Sequence, residues 1–314
     1  LAIESIYQSQ GRVDEYIDFA DKAGVIKDKS DGEKEAMYFN AAEQIFMTEN
    51  YNKALTSLMA YLERYPSGQK VPAAEFYVAE CYRNIGKKEQ ACDWYTKSLS
   101  RGSESSFAET AMLNFSRLSY ELQRYKDAYG GYSSLLEDAR IDNNRHTARV
   151  GMLRSAFKAG DWTSAISCAD RVREDSKSTA EEIREAEYSK AKSLLSMNER
   201  SAAYEIFAAL SARPSTSEGA EAAYMIILDA YDQGKYDSVE KKVYAFAEKA
   251  GDQSYWLAKA FIVLGDSFAE QDNLQQAKAT FESVLNGYKP ASGKSDDVLD
   301  NVRMRLDKLK NMER

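Results

Sequence analysis

The sequence predicts an all-α solenoid of antiparallel helix hairpins, and three observations predict it. A short motif (Gly or polar, any residue, aromatic, two residues, Ala) returns along the chain at a nearly constant interval. Only 4 prolines occur among 314 residues, so long stretches contain no helix breaker. Hydrophobic residues make up 44% and charged residues 29%, a composition typical of folded chains rather than disordered tails.

The interval of the motif identifies the repeating unit. The last residues of its successive copies are Tyr16, Ala54, Ala91, Ala128, Ala165, Ala203, Val239 and Ala277. Successive copies are separated by 36 to 38 residues. We therefore predict an array over residues 1–290 that begins with a partial repeat at 1–27. The seven complete repeats are predicted at about 31–67, 72–103, 106–140, 146–176, 180–214, 218–250 and 254–290.

A different pattern follows the last repeat. Apolar residues form a stripe at helical spacing among charged side chains, namely Val298, Leu299, Val302, Leu306 and Leu309. This pattern predicts an amphipathic capping helix at 295–314. A solenoid needs such a cap because its last repeat otherwise exposes its stacking face. No cap is visible at the other end, where the first hairpin begins part-way into a helix, so we expect further repeats upstream.

The repeating unit resembles the tetratricopeptide repeat (TPR), which consists of a helix A, a tight turn and a helix B. The family's small residue in helix A corresponds here to Ala42, Ala79, Ser116, Ala191 and Gly265. Its small partner in helix B corresponds to Ala54, Ala91, Ala128, Ala203 and Ala277. The large residue four positions later corresponds to Leu58, Tyr95, Tyr132, Phe207 and Phe281. The resemblance implies a right-handed TPR superhelix.

Two repeats depart from the TPR pattern, while the turns agree with it. Leu153 in the fourth repeat and Ile227 in the sixth stand where a small residue is expected, so we expect these hairpins to be splayed or packed off-pattern. Glycines fall at the turn inside four hairpins, where a left-handed backbone is convenient. They are Gly11, Gly86, Gly160 and Gly234. Ser178 or Thr179, followed by Glu181 and Glu182, predicts the start of a helix.

The composition argues against several function classes. The net charge is −8, so the average surface would repel a nucleic-acid backbone. No stretch approaches the roughly 18 apolar residues of a membrane span.

His146 is the only histidine and is expected on the surface, in a turn before helix A of the fourth repeat. The three cysteines, Cys81, Cys92 and Cys168, form no C-x-x-C motif. Cys81 and Cys92 belong to one hairpin and are expected to be small buried hydrophobic residues. We expect no catalytic residues, no metal and no cofactor.

Basic residues recur at one position of helix A, which in TPR proteins lines the concave, partner-binding groove. The fourth residue after Phe39, and its equivalents in later repeats, gives the row Glu43, Glu80, Arg117, Arg154, Lys192, Leu228 and Asp266. Three successive repeats thus contribute Arg117, Arg154 and Lys192, and Arg83 and Lys158 lie about one turn away. Such a track would attract an acidic peptide or a carboxylate. The alternative is that these are solvated or paired charges.

Aromatic residues accompany the basic row. Phe39, Tyr188 and Tyr224 share one repeat position that we expect to tilt outward, and aromatic side chains carry much of the energy at protein interfaces. The alternative is that they pack between adjacent hairpins.

Our leading interpretation is a non-catalytic scaffold that binds a protein or peptide in its groove. Residues 51–82 also resemble the TPR regions of Gram-negative envelope proteins, including BamD-type assembly lipoproteins and the TolA-binding periplasmic coordinator. This resemblance implies a periplasmic or envelope setting, the alternative being the cytoplasm. A second function class is a glycan-binding module related to helical outer-membrane sugar-capture proteins, although the large inserted loops of those proteins do not appear here. The sequence does not indicate the partner's identity or the oligomeric state.

Overall fold

The computed structural model describes residues 12–25, 30–101, 106–290 and 296–312, together with Ile3, Ile6, Tyr7 and Gln10. Within these residues the chain forms sixteen α-helices and no strand. The predicted all-α, TPR-like solenoid class is therefore confirmed. None of the helices in this part of the chain is long and apolar enough to cross a bilayer.

The chain divides into two compact units, residues 1–161 and 162–314. The helices of the first unit are α1 (Val13–Lys22), α2 (Asp31–Met47), α3 (Tyr51–Arg64), α4 (Val71–Asn84), α5 (Lys88–Leu99), α6 (Ala108–Glu121), α7 (Tyr125–Asp138) and α8 (Asp142–Ala159). Those of the second unit are α9 (Trp162–Glu174), α10 (Ala180–Ser196), α11 (Arg200–Leu210), α12 (Ser217–Asp232), α13 (Tyr236–Ala247), α14 (Ser254–Glu270), α15 (Leu274–Gly287) and α16 (Val298–Met312).

Within each unit, consecutive helices run antiparallel because short turns reverse the chain. Ser98 Oγ, at the end of α5, donates a hydrogen bond to the carbonyl oxygen of Pro72, at the start of α4 (3.1 Å). Pro72 stands in the first turn of α4, where a missing N–H costs nothing. Thr179 caps α10 in a reciprocal capping box with Glu182, so the helix start predicted there is confirmed.

Seven turns between a helix A and its helix B contain one residue in the left-handed region. Three of these residues are Gly86, Gly160 and Gly234, with φ of 80°, 73° and 68°, as the sequence predicted; Gly11 lies outside the described residues. The equivalent residues of the other four turns have φ between 59° and 65° and are Glu49, Gln123, Asn198 and Asp272. The conformation is thus constant along the repeats although the residue type is not.

The left-handed residue closes the end of helix A by hydrogen bonds. In six of the turns, the residue that follows it donates its N–H to a carbonyl oxygen five residues earlier, as Lys87 does to Tyr82 (2.9 Å) and Glu199 does to Leu194 (2.9 Å). This arrangement is the Schellman motif, which satisfies carbonyl groups that the helix leaves without partners. A non-glycine residue in this conformation costs roughly 1–2 kcal/mol, which packing in the rest of the hairpin must offset.

Small residues of helix A and helix B are fully buried where the two helices meet. Ala42 and Ala54 are both 0% exposed, as are Ala79 and Ala91 in the next hairpin. At Gly265 in α14 even a methyl group has no room, because a Cβ there would lie 2.4 Å from Cε1 of Phe281 in α15. The small positions therefore set how closely the helices approach.

The larger residues at the small positions are buried as well. Leu153 and Ile227 are each 1% exposed. Whether their hairpins are splayed stays a prediction.

The C-terminal helix α16 completes the core of the second unit. Val298, Val302 and Leu309 are buried, and Leu306 packs against the same core as a half-buried residue. Their spacing places them on one face of the helix, which is the apolar stripe that the sequence predicted.

His146 does not lie in a turn, and that prediction is wrong. Helix α8 begins at Asp142, so His146 is a half-buried residue inside the helix. The carboxylate of Glu109 explains the early start. It accepts hydrogen bonds from the backbone N–H groups of Arg140 and Ile141 (3.3 and 3.1 Å) and from the side chain of Asn144 (2.8 Å), and so stabilises the beginning of the helix.

All three cysteines are buried thiols, as the sequence predicted for Cys81 and Cys92. Cys81 in α4, Cys92 in α5 and Cys168 in α9 are at most 3% exposed. Burial, with a smaller contribution from the charge of Glu80, raises the pKa of Cys81 to about 12. A thiol with such a pKa is a poor nucleophile near neutral pH.

Two adjacent glycines in α7 provide a test of this packing. A Cβ at Gly130 would meet no atom within 4 Å, whereas one at Gly131 would lie 2.4 Å from Ser116 Oγ and 2.9 Å from Cδ1 of Phe115 in α6. We expect Gly130→Ala to raise the free energy of unfolding by roughly 0.5–1 kcal/mol, because Ala favours helix. Gly131→Ala should lower it by roughly 1–2 kcal/mol through overpacking. Urea melts measure both, and equal shifts would contradict the packing described.

Candidate partner-binding surface

The row of equivalent helix-A residues contacts the next helix A along the chain. The Glu43 carboxylate accepts a hydrogen bond from the hydroxyl of Tyr77 (2.8 Å), which links α2 to α4. The carboxylate of Asp266 in α14 accepts two hydrogen bonds from Nε of Arg305 in α16 (2.7 and 2.9 Å). Several members of the row therefore join successive hairpins rather than projecting into solvent.

Glu80 is the most buried member of the row and is 6% exposed. Its carboxylate accepts hydrogen bonds from the Tyr95 hydroxyl and from Nδ2 of Asn114 (2.7 Å). Arg83 forms an ion pair with the same carboxylate (2.6 Å). These donors offset the cost of burying a charge. Arg83, predicted to face a partner, is thus already paired, although its side chain is 39% exposed.

Arg117 in α6 and Arg154 in α8 are exposed. Between them in the sequence stands Tyr132 of α7, which is buried. Burial raises the pKa of Tyr132, and the positive charges of Arg117 and Arg154 act in the opposite direction. The charges of both guanidinium groups therefore act on one hydroxyl. We call Arg117 and Arg154 the basic patch.

Arg117 forms no ion pair with a described residue, and neither does Lys158, which is exposed and stands one helical turn after Arg154. The charge of Glu121 also acts on the Tyr132 hydroxyl, but that carboxylate pairs with Lys88 (2.8 Å). The first unit therefore presents positive charge at this position in a protein whose net charge is −8.

Lys192 belongs to the second unit, and its charge is paired. Its Nζ lies 2.8 Å from a carboxylate oxygen of Glu221 in α12. The other oxygen of Glu221 accepts a hydrogen bond from the Tyr188 hydroxyl (2.7 Å), and the ammonium also lies 5.8 Å from the Tyr188 ring centroid. A single track of Arg117, Arg154 and Lys192 stays a prediction.

The three aromatic candidates differ in their surroundings. Phe39 does not tilt outward, and that prediction is wrong, because its side chain is 4% exposed. Its ring packs between those of Tyr61 and Tyr77 at centroid distances of 5.8 and 6.1 Å. Tyr188 and Tyr224 are half-buried. Tyr224 packs against Trp256 at 5.4 Å.

Hydrogen bonds from tyrosine to carboxylate groups recur through the structure and were missed in the sequence. Tyr61 donates to Glu35 (2.7 Å), in addition to the bonds of Tyr77, Tyr95 and Tyr188 described above. They explain part of the unusual count of 21 tyrosines, since a phenol can fill a packed position and still donate to an acid. The tyrosine count could be read from the sequence. The carboxylate partners could not, because the separation between each tyrosine and its partner along the chain varies.

These phenols make stability depend on pH in the alkaline range. Burial, and then the hydrogen bond to Glu43, raises the pKa of Tyr77 above its ordinary value. The folded state therefore favours the neutral phenol. Its contribution is fully present below the unfolded-state pKa, about 10, and is lost as pH rises beyond it.

We expect Tyr77→Phe to lower the free energy of unfolding by about 1 kcal/mol at pH 7, because Glu43 loses a donor. Above about pH 10 the variant should lose stability less steeply than the wild type, because one ionising group is gone. Tyr244→Phe is the matched control, since that ring is 49% exposed, and should change neither quantity. Urea melts at several pH values measure both quantities. Parallel curves of unfolding free energy against pH for the wild type and Tyr77→Phe would refute the assignment.

Comparison with known proteins agrees with the fold. Residues 255–289 match the family model of the tetratricopeptide repeat. No curated protein matches the chain. Among solved structures, the chain is similar to a tetratricopeptide repeat protein from Parabacteroides merdae ATCC 43184, with 16% identity over 88% of this chain and 99% of that chain and a TM-score of 0.44.

Two further solved structures are similar over most of the chain. One is Naa15/Naa10 bound to HypK-THB, with 13% identity over 87% of this chain and 39% of that chain and a TM-score of 0.49. The other is YrrB, a TPR protein with an unusual peptide-binding site, with 15% identity over 73% of this chain and 91% of that chain and a TM-score of 0.32. The match to the tetratricopeptide repeat model thus covers one helix hairpin, residues 255–289, of an all-α chain.

Proposed function

We propose that this chain is a non-catalytic scaffold that binds a partner protein or peptide, and that an acidic segment of the partner contacts the basic patch. The observation that carries the proposal is the exposed Arg117, which forms no ion pair with a described residue and whose charge, like that of Arg154, acts on the Tyr132 hydroxyl. Guanidinium groups bind carboxylates through paired hydrogen bonds, so the patch suits aspartate or glutamate side chains.

Within the row of equivalent helix-A residues, the charges support an acidic partner at Arg117. The charges of Glu43 and Asp266 are acidic, and that of Lys192 is paired. An acidic segment would be repelled by most of a surface with a net charge of −8. The basic patch therefore favours one docking position for such a segment.

The test is a charge reversal that leaves the packing intact. We expect Arg117→Glu to weaken binding of a fluorescently labelled hexaglutamate peptide by about ten-fold, and Arg117→Glu with Arg154→Glu to abolish it. Binding should also weaken as salt rises to physiological strength. Lys126→Glu is the matched control, because Lys126 is an exposed lysine of α7 that pairs with no described residue, and should bind like the wild type.

The melting temperature separates an effect on binding from an effect on folding. The melting temperature of Arg117→Glu should stay close to that of the wild type, since an exposed unpaired charge contributes little to stability. Lys192→Glu is unsuitable as a test, because it would set a second carboxylate beside Glu221 and destabilise the second unit. Equal affinity of Arg117→Glu, the double variant and the wild type for the peptide would contradict the proposal.

The cellular setting that we propose is the envelope or periplasm, and its support is the resemblance of residues 51–82 to envelope TPR regions. Fractionation of the source cells, with detection of the native protein, tests this directly. Recovery in the cytoplasmic fraction would overturn it. No observation favours the glycan-binding alternative, since Trp94, Trp162 and Trp256 are all half-buried and the ring of Trp94 is covered by Lys97 at 3.8 Å.

A further inference from the structure

Three aromatic rings and a carboxylate surround one ammonium group in the second unit. Nζ of Lys259 lies 5.6 Å from the ring centroid of Tyr224, 5.4 Å from that of Tyr255 and 6.0 Å from that of Trp256. An oxygen of Asp297 lies 3.4 Å from the same nitrogen. We call Tyr224, Tyr255, Trp256 and Asp297 the aromatic cage. Each ring is within the distance at which a cation is attracted to an aromatic face.

The walls of the cage are held in place without the lysine. Trp256 packs against Tyr224 at 5.4 Å and against Tyr255 at 4.9 Å. The Tyr255 hydroxyl donates to Asp297 Oδ1 (3.2 Å), and Asp297 Oδ2 also accepts from Asn301 Nδ2 (3.0 Å). The rings come from α12 and from the first turn of α14, and Asp297 directly precedes α16. Contacts among three elements therefore fix the cage.

Lys259 is held less firmly than the walls. Its two hydrogen bonds, to Asp297 and to the Tyr255 hydroxyl, are both 3.4 Å long, at the weak end of the range. Its side chain remains 24% exposed, and that of Asp297 is 53% exposed, so the cage is open to solvent. Burial lowers the pKa of Lys259, but the phenols of Tyr224 and Tyr255 and the charge of Asp297 raise it overall, so the ammonium is charged.

We propose that the aromatic cage binds a methylated or quaternary ammonium group of a ligand, and that Lys259 is a tethered occupant that the ligand displaces. A quaternary ammonium has no N–H group to hydrate, so it gives up less on entering a ring-lined site than a primary ammonium does. The displaced lysine regains its hydration, because its long flexible chain can reach solvent. This inference does not depend on the basic patch, which lies in the first unit.

Calorimetric titration of the intact protein with tetramethylammonium chloride tests the proposal. We expect Lys259→Ala, which empties the cage, to bind about ten-fold more tightly than the wild type, because the internal competitor is gone. Neutral tert-butanol, of similar size and shape, should not bind to either. Lys241→Ala, which removes an exposed lysine of α13, is the matched control and should bind like the wild type.

Variants of the walls make the result decisive. In the Lys259→Ala background, Trp256→Leu should abolish binding and Asp297→Asn should weaken it several-fold. If Lys259→Ala is not folded by circular dichroism, Lys259→Met replaces it, since Met keeps most of the side-chain volume. A folded variant that binds tert-butanol as well as tetramethylammonium, or binding that survives Trp256→Leu, would overturn the proposal. A wild type that does not bind tetramethylammonium at all would also overturn it, because Lys259 would then be a permanent wall of the cage.

Two probes distinguish the sources of the ammonium group. One is phosphocholine, which represents a small molecule or a lipid headgroup, and the other is a short peptide that contains trimethyl-lysine. Both carry the same quaternary group, so both should compete with tetramethylammonium. The probe that binds more tightly than tetramethylammonium identifies the class of the natural ligand, whereas failure of both to compete would refute the site.

Discussion

The left-handed residue in each hairpin turn is the constraint on which the rest of the structure depends. It reverses the chain within a few residues, so helix B must fold back along helix A at a fixed offset. Ala42 and Ala54 stand seven residues before and five residues after Glu49, and Ala79 and Ala91 have the same offsets from Gly86. The turn thus brings two small residues together in each of these hairpins, and their contact sets the distance between the helices.

Polar contacts then join one hairpin to the next. Glu43 to Tyr77, Lys192 to Glu221 and Asp266 to Arg305 all connect a helix A with the following helix A, or with α16 at the end of the array. A repeat array is stabilised by nearest-neighbour interfaces, so such contacts determine how strongly adjacent repeats cooperate. Where a row residue instead stays exposed, as at Arg117, that contribution is absent and the side chain is left available to a partner.

The sequence predicted the features that depend on geometry within one hairpin. It failed for side chains whose surroundings are set by a neighbouring helix. Periodicity, small residues and turn glycines specify the hairpin, and they predicted the fold class and the left-handed turns. The outward direction of Phe39 was wrong because Tyr61 and Tyr77, on neighbouring helices, close over it. A row position likewise does not reveal whether its charge is paired. Lys192 meets Glu221, whereas Arg117 forms no ion pair with a described residue.

The three buried cysteines can be used to measure local opening of this protein. Cys81 and Cys92 sit in one hairpin of the first unit and Cys168 in a helix of the second. A thiol reagent reaches such a side chain only when the surrounding helices separate, so its labelling rate measures the free energy of that opening. Each thiol reads a different part of the array without any introduced probe. Ligands that bind one unit would reveal themselves by slowing the modification of the thiols in that unit alone.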